Sequence, residues 1–180
     1  MSAIHFIVVS LIGLYQIVLL LRLLMQVVRA DFRNPLARAI VQLTDPLIRP
    51  LRRALPPVKR IDTASVVAIL AVTVLKIIVS HWLGAGLTSG FGLPTPELLL
   101  RALLLETLRL VLTTYLFAII LNAILSFVAP ENYSPAQSLL NSICEPVLRP
   151  IRRLIPSVAG LDLSPLWACI AIQALLILIR

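Results

Sequence analysis

The chain has 180 residues, 59% of them apolar and only 13% charged, and its mean hydropathy of +1.00 excludes an ordinary water-soluble globular domain. In a soluble protein its formal net charge of +8 would suggest nucleic-acid binding, but in so apolar a chain the basic residues must first be placed relative to a bilayer. Cys144 and Cys169 stand at no metal-ligand spacing, so neither a disulfide nor a metal site is expected.

A hydrocarbon core requires about 20 consecutive apolar residues of a crossing helix. The first such stretch runs from Ile4 to Val28. No Lys or Arg precedes it and no small-residue cleavage pattern follows, so it is expected to be retained as a span. A basic segment comes next, with Arg29, Arg33, Arg38, Arg49, Arg52, Arg53, Lys59 and Arg60. Within it Asn34 and Pro35 supply an N-cap and a first-turn proline, and Leu36, Ile40, Leu43 and Leu47 recur at helical spacing. This predicts a short interfacial helix that weakens at Asp45, the residue before Pro46. Beyond the proline, Arg49, Arg52 and Arg53 share one helical face.

The second span is read over Ala64 to Leu83 and the Gly-rich residues 84–94 as a hairpin. Thr95, Pro96 and Glu97 make an N-cap, a first-turn proline and an acidic first turn, so the third helix begins ahead of its span, which covers Leu103 to Val128. Ser134 and Pro135 then start a second interfacial helix, striped by Leu139, Leu140, Ile143 and Val147 and expected to weaken at Glu145. It carries Arg149, Arg152 and Arg153, and a fourth span follows from Leu163 to Ile179. The two basic segments are expected to face the cytoplasm, with the hairpin and both termini outside.

Aligning residue i with i+100, without a gap, matches Pro46, Arg49, Pro50, Arg52, Arg53, Pro56 and Asp62 to Pro146, Arg149, Pro150, Arg152, Arg153, Pro156 and Asp162. Eight of the eighteen positions from 45 to 62 are identical, and Asp45 meets Glu145. The predicted fold is therefore an all-α integral membrane protein of four transmembrane helices in two parallel tandem repeats. Each repeat is a helical hairpin with an interfacial cytoplasmic segment, the first at residues 1–83, a linker at 84–102 and the second at 103–180. An even number of spans per repeat implies a pseudo-two-fold axis along the membrane normal.

LYQIVLLLRLLMQ at 14–26, DFRNP at 31–35, TDPLIRPLRRALP at 44–56, EPVLRPIRRLIP at 145–156 and GLDLSP at 160–165 resemble the YggT family of bacterial inner-membrane proteins. The family is also called YlmG and has chloroplast relatives. The resemblance implies links to osmotic-shock tolerance and cation uptake in bacteria. For the chloroplast and cyanobacterial relatives it implies nucleoid distribution, division or maturation of a membrane cytochrome. It carries over no catalytic residue. Arg22 matches the arginine typical of the family before the loop, while its counterpart is Asn122.

Ionisable groups inside a span are functional candidates because they cost about 2.5–3.5 kcal/mol at the centre. Arg22 can snorkel, or hold Asp45 or the carbonyls freed at Pro46. Lys76 is expected to pair with Glu106. His5 and His81, near outer helix ends, are read as interfacial packing residues. No Asp or Glu other than Glu106 lies in a span, which argues against a coupled cation carrier. A passive pore lined by Gln16, Thr113, Thr114, Asn122 and Gln173 would require a homo-oligomer.

No nucleophile–base pair, phosphate loop or cofactor motif is present in the sequence, and no enzyme activity is expected. The expected role is that of a membrane scaffold or assembly factor. Its arginines at 49, 52, 53, 149, 152 and 153 meet anionic lipid or an acidic membrane-protein partner. The competing role is ion flux in osmotic or potassium homeostasis. Nucleic acid is not an expected partner, because topology accounts for the charge and no aromatic residue interleaves the arginines.

Overall fold

A computed structural model of the chain describes residues 3–55, 62–85, 95–128, 134–154 and 162–179, and among these it has six α-helices and no strand. They are α1 (Ala3–Val27), α2 (Pro35–Ala54), α3 (Thr63–Ala85), α4 (Pro96–Val128), α5 (Pro135–Leu154) and α6 (Ser164–Leu178). Pro56 and Pro156, like Lys59 and Arg60 and most of the Gly-rich hairpin, lie outside the described residues.

Three helices are long and apolar enough to cross a membrane, over Ala3–Val27, Thr63–Leu83 and Pro96–Ser126. The third starts at Pro96, where Thr95 and the first-turn proline end the preceding chain. With 15 residues, α6 rises only about 22 Å, against a hydrocarbon core of about 30 Å, and so is shorter than the expected Leu163–Ile179 span.

Continuous helices replace the expected breaks at Asp45 and Glu145. Helix α2 runs through Pro46 and Pro50, and α5 through Pro146 and Pro150. Each proline removes one backbone donor and disfavours helix at the residue before it. All four prolines are exposed, whereas Thr44, Ile48, Cys144 and Leu148 on the opposite sides are fully buried. Tertiary packing of the buried side outweighs the local preference, since most helix stability in proteins comes from such packing.

Helix α1 ends in a Schellman motif, with Ala30 N–H donating to Met25 O at 2.9 Å and Arg29 N–H to Gln26 O at 3.3 Å. Arg29 takes the left-handed position at φ 54° that glycine usually fills, and the chain turns there into α2. The Asn34 cap has two roles. Its Oδ1 accepts from Leu36 N–H at 2.9 Å, while its Nδ2 donates to Pro135 O at 2.6 Å, tying the start of α2 to the start of α5.

Two apolar cores result. The first joins Leu19, Leu24 and Met25 of α1 to Ile48 of α2 and Ala68 of α3, and takes in Leu139 and Ile143 from α5. The second joins Ile119 of α4, Leu148 of α5 and Ile172 of α6, and Tyr115 packs against both. A buried hydrogen bond from Gln16 Nε2 to Thr73 Oγ1, at 2.7 Å, links α1 to α3.

The packing between the halves departs from the expected two-fold axis. Helix α1 touches α4 and α2 touches α5, contacts that a two-fold axis keeps, but α1 also touches α5 and α3 touches α4, and their counterparts, α4 with α2 and α6 with α1, are absent among the described residues.

Replacing Asn34 with Ala removes both the cap and the tie to Pro135, and is expected to cost about 1–2 kcal/mol. Equilibrium unfolding in mixed detergent measures this, with the equivalent Ser134→Ala, which loses only a 3.1 Å cap bond to Gln137 N–H, costing less.

Candidate functional site

The charged residues of α2 and α5 follow from the helix wheel. In α2, Ala37, Thr44 and Ile48 lie on the buried side, Arg38, Arg49 and Arg53 on a basic side, and Leu36 and Leu43 on an exposed apolar side between them. In α5, Arg149 and Arg153 occupy the same basic positions.

Arg22 projects from α1 onto α2 and is 4% exposed. Its Nη1 lies 2.7 Å from Thr44 Oγ1, 2.8 Å from Asp45 Oδ1 and 3.2 Å from Val41 O. The other Asp45 oxygen accepts from Arg49 at 2.8 Å. Asp45 is thus shared between a buried and an exposed arginine. Burial opposes its ionisation, but the hydrogen bond and charge of Arg22, joined by those of Arg49, hold its carboxyl below the ordinary value.

Arg52 turns to the chain that enters α3, where it pairs with Asp62. The same Asp62 oxygen accepts from Ser65 Oγ at 2.9 Å and Gln26 Nε2 at 3.4 Å. Burial again opposes ionisation, and the donors, Arg52 foremost, hold this carboxyl below its ordinary value. In the second half Arg152 Nε donates to Asp162 at 2.7 Å and Nη1 to Glu145 at 2.9 Å, while Ser164 N–H donates to the other Asp162 oxygen at 2.9 Å. Against the cost of burial, Ser164 and Arg152 lower the Asp162 carboxyl as well. In each half an arginine and an aspartate ten residues apart tie the end of an amphipathic helix to the start of the next helix. The recurrence of Asp62 and Asp162 was visible in the sequence, but which arginine each would engage was not.

The six arginines therefore do not act as one cluster. Arg49, Arg52 and Arg152 are engaged in intramolecular ion pairs. Arg53, Arg149 and Arg153 are exposed and have no acidic partner among the described residues.

Lys76 Nζ donates to Glu106 Oε2 at 2.9 Å, bringing α3 onto α4. Arg109, one turn further along α4, donates to the other Glu106 oxygen at 3.1 Å and so makes a three-residue group. Sequence reasoning passed over Arg109, although its i,i+3 spacing from Glu106 was the available signal. Asn122 is buried and its Oδ1 has no hydrogen-bond partner among the described residues. It stands at the position equivalent to Arg22, and Cys144 stands at that of Thr44, so the second half lacks the buried ion pair and Glu145 turns outward to Arg152. Gln16, Thr114 and Asn122 are buried, Thr113 partly so and Gln173 exposed, and the five do not share one environment. Among the described residues no three metal-ligating side chains converge.

These features define an all-helical protein of membrane type, with long apolar helices and amphipathic arginine-bearing ones. The profile of the CCB3/YggT family matches residues 1–83 and 101–180. An uncharacterised protein of Pseudomonas aeruginosa is 44% identical over 173 residues, covering 96% of this chain and 85% of its own length. An uncharacterised protein encoded in the proC 3′ region of Vibrio alginolyticus is 36% identical over 96% of this chain and 91% of its own. The uncharacterised YggT of Escherichia coli K12 is 36% identical over 92% and 83%, respectively. The chain belongs to the CCB3/YggT family. No solved structure matches it significantly.

Asp45→Asn leaves the buried Arg22 without its counter-charge and is expected to destabilise the protein by about 3–5 kcal/mol, whereas Arg22→Met leaves Asp45 paired with Arg49 and is expected to cost less. The double variant should recover part of that loss, which a double-mutant cycle of unfolding in detergent measures. The folded carboxyls of Asp45, Asp62 and Asp162 all lie below their ordinary value of 3.8, so the unfolded chain binds protons first as pH falls. Their contribution is complete above the ordinary value and is lost as pH drops through it towards the lower folded values. Unfolding followed from pH 7 downward is expected to show this loss, with a smaller acid dependence in Asp62→Asn.

Proposed function

We propose that the chain is a non-enzymatic, multi-pass protein of the bacterial inner membrane that acts as a scaffold or assembly factor. In this reading α6 is a fourth span, helped across by the residues flanking it, and the two halves are parallel repeats. The basic sides of α2 and α5 face the cytoplasm, as the positive-inside rule favours. Anionic lipid phosphates, or an acidic surface on a membrane-protein partner, meet Arg53, Arg149 and Arg153, with Arg49 beside them.

One observation carries this reading: Arg53, Arg149 and Arg153 are exposed and have no acidic partner among the described residues, while Arg49, Arg52 and Arg152 of the same motifs are all in ion pairs. A basic residue near an anionic leaflet contributes about 1 kcal/mol, enough for three to give selectivity over neutral lipid. Ion flux is the second reading. It draws support from the buried, unpartnered oxygens of Gln16 and Asn122, since amide oxygens can coordinate cations.

Binding of short-chain phosphatidylglycerol to the purified protein in neutral detergent, against short-chain phosphatidylcholine, tests the scaffold reading. The R53Q/R149Q/R153Q variant is expected to lose about 3 kcal/mol of that preference, on the order of a hundredfold, with unfolding stability retained because the ion pairs of Arg52 and Arg152 are untouched. Equal preference in both proteins would overturn the lipid role. Potassium flux above the lipid background in liposomes would favour the second reading.

A further inference from the structure

Residues one hundred positions apart differ in burial in a pattern that a closed two-fold pair would not produce. In the first half Leu20 and Leu24 are 3% and 9% exposed, while Ile120 and Ile124 are 40% and 51% exposed. On the other side the asymmetry reverses. Leu14 and Leu43 are 60% and 62% exposed, whereas Thr114 and Ile143 are 3% and 1% exposed. The covered residues have an identifiable cover: Ile143 of α5 packs into the first core with Leu20 and Leu24, and Val111 of α4 packs against the same core. The open residues are the counterparts of the two partners in that one contact.

This is the signature of a heterologous interface. The first half offers one surface to the second, and the second is left with its own copy of that surface uncovered at Ile120 and Ile124. The matching surface of the first half, at Leu14 and Leu43, is likewise uncovered. Among the described residues, α4 therefore has no contact with α2, and α6 none with α1. A head-to-tail contact between units of the same orientation repeats until the rotation closes a ring.

We infer that α4 and α6 of one chain pack against α2 and α1 of a second copy, repeating between chains the contact that joins the two halves within one chain. The inference rests on reading positions one hundred residues apart as equivalent. Leu14 and Leu43 on one side and Ile120 and Ile124 on the other are shape-compatible aliphatic residues, of the kind already buried together inside the chain.

Cross-linking in native membranes tests this, in a full-length C144A/C169A background with a short bifunctional maleimide. The variant carrying both Leu43→Cys and Ile124→Cys is expected to give a ladder of dimers and larger species, ending at the size of the closed ring. Co-expressed chains carrying one cysteine each should stop at mixed dimers, and Leu43→Cys alone should stay monomeric. A reference pair, Leu24→Cys with Ile143→Cys, places the same contact within one chain and should join the two halves across a protease site inserted between residues 86 and 94. If the reference pair joins but no ladder forms, the assembly is overturned and the internal contact stands. If the reference pair fails, the contact that serves as the template is absent and the inference is overturned. Dimers from Leu43→Cys alone would indicate a symmetric interface and overturn the head-to-tail contact.

Discussion

A charge near hydrocarbon is tolerated only when a partner or water compensates it, and the placement of helices here follows from where compensation is available. Arg22 is the clearest case. Carried on an apolar helix and almost wholly buried, it needs an acceptor, and α2 supplies a threonine hydroxyl, a backbone carbonyl and a carboxylate within 3.2 Å. The amphipathic helix is thereby held against α1 at a defined height and rotation. Lys76 and Arg109 around Glu106 serve the same need between α3 and α4.

The two halves meet this constraint with different chemistry. The first buries an arginine and surrounds it. The second has Asn122 there and places Glu145 at the surface with Arg152. A buried pair is costly to desolvate and gives orientation more than net stability, whereas an exposed pair contributes little of either. The first half thus carries a buried ion pair where, among the described residues, the second has Cys144 and Asn122 with its amide oxygen unpartnered. The Arg52–Asp62 and Arg152–Asp162 pairs persist in both halves. Each closes a connection of about ten residues between an amphipathic helix and the helix after it.

The same physics separates structural arginines from those available to bind. Six arginines in two repeated motifs look equivalent in a sequence alignment of the halves. Three of them are engaged within the chain, and the remainder project from the basic sides of α2 and α5. The exposed prolines of these helices lie on their outer sides, where the carbonyls they leave without donors can be solvated. The buried sides keep the helices continuous.

Much was legible locally. Hydropathy over windows of about 20 residues gave the apolar helices, because lipid solubility sums over a segment without reference to its neighbours. Asn34, Ser134 and the prolines after them marked helix starts, because capping involves residues within one turn. The family resemblance rested on contiguous motifs of the same kind. What depended on distant neighbours was not legible. The prolines at 46 and 146 read as breaks because the buried packing that overrides them comes from other helices. The choice of Arg52 for Asp62, and the one-sided contact between the halves, belong to the tertiary structure: both depend on relative positions of helices that no local pattern encodes.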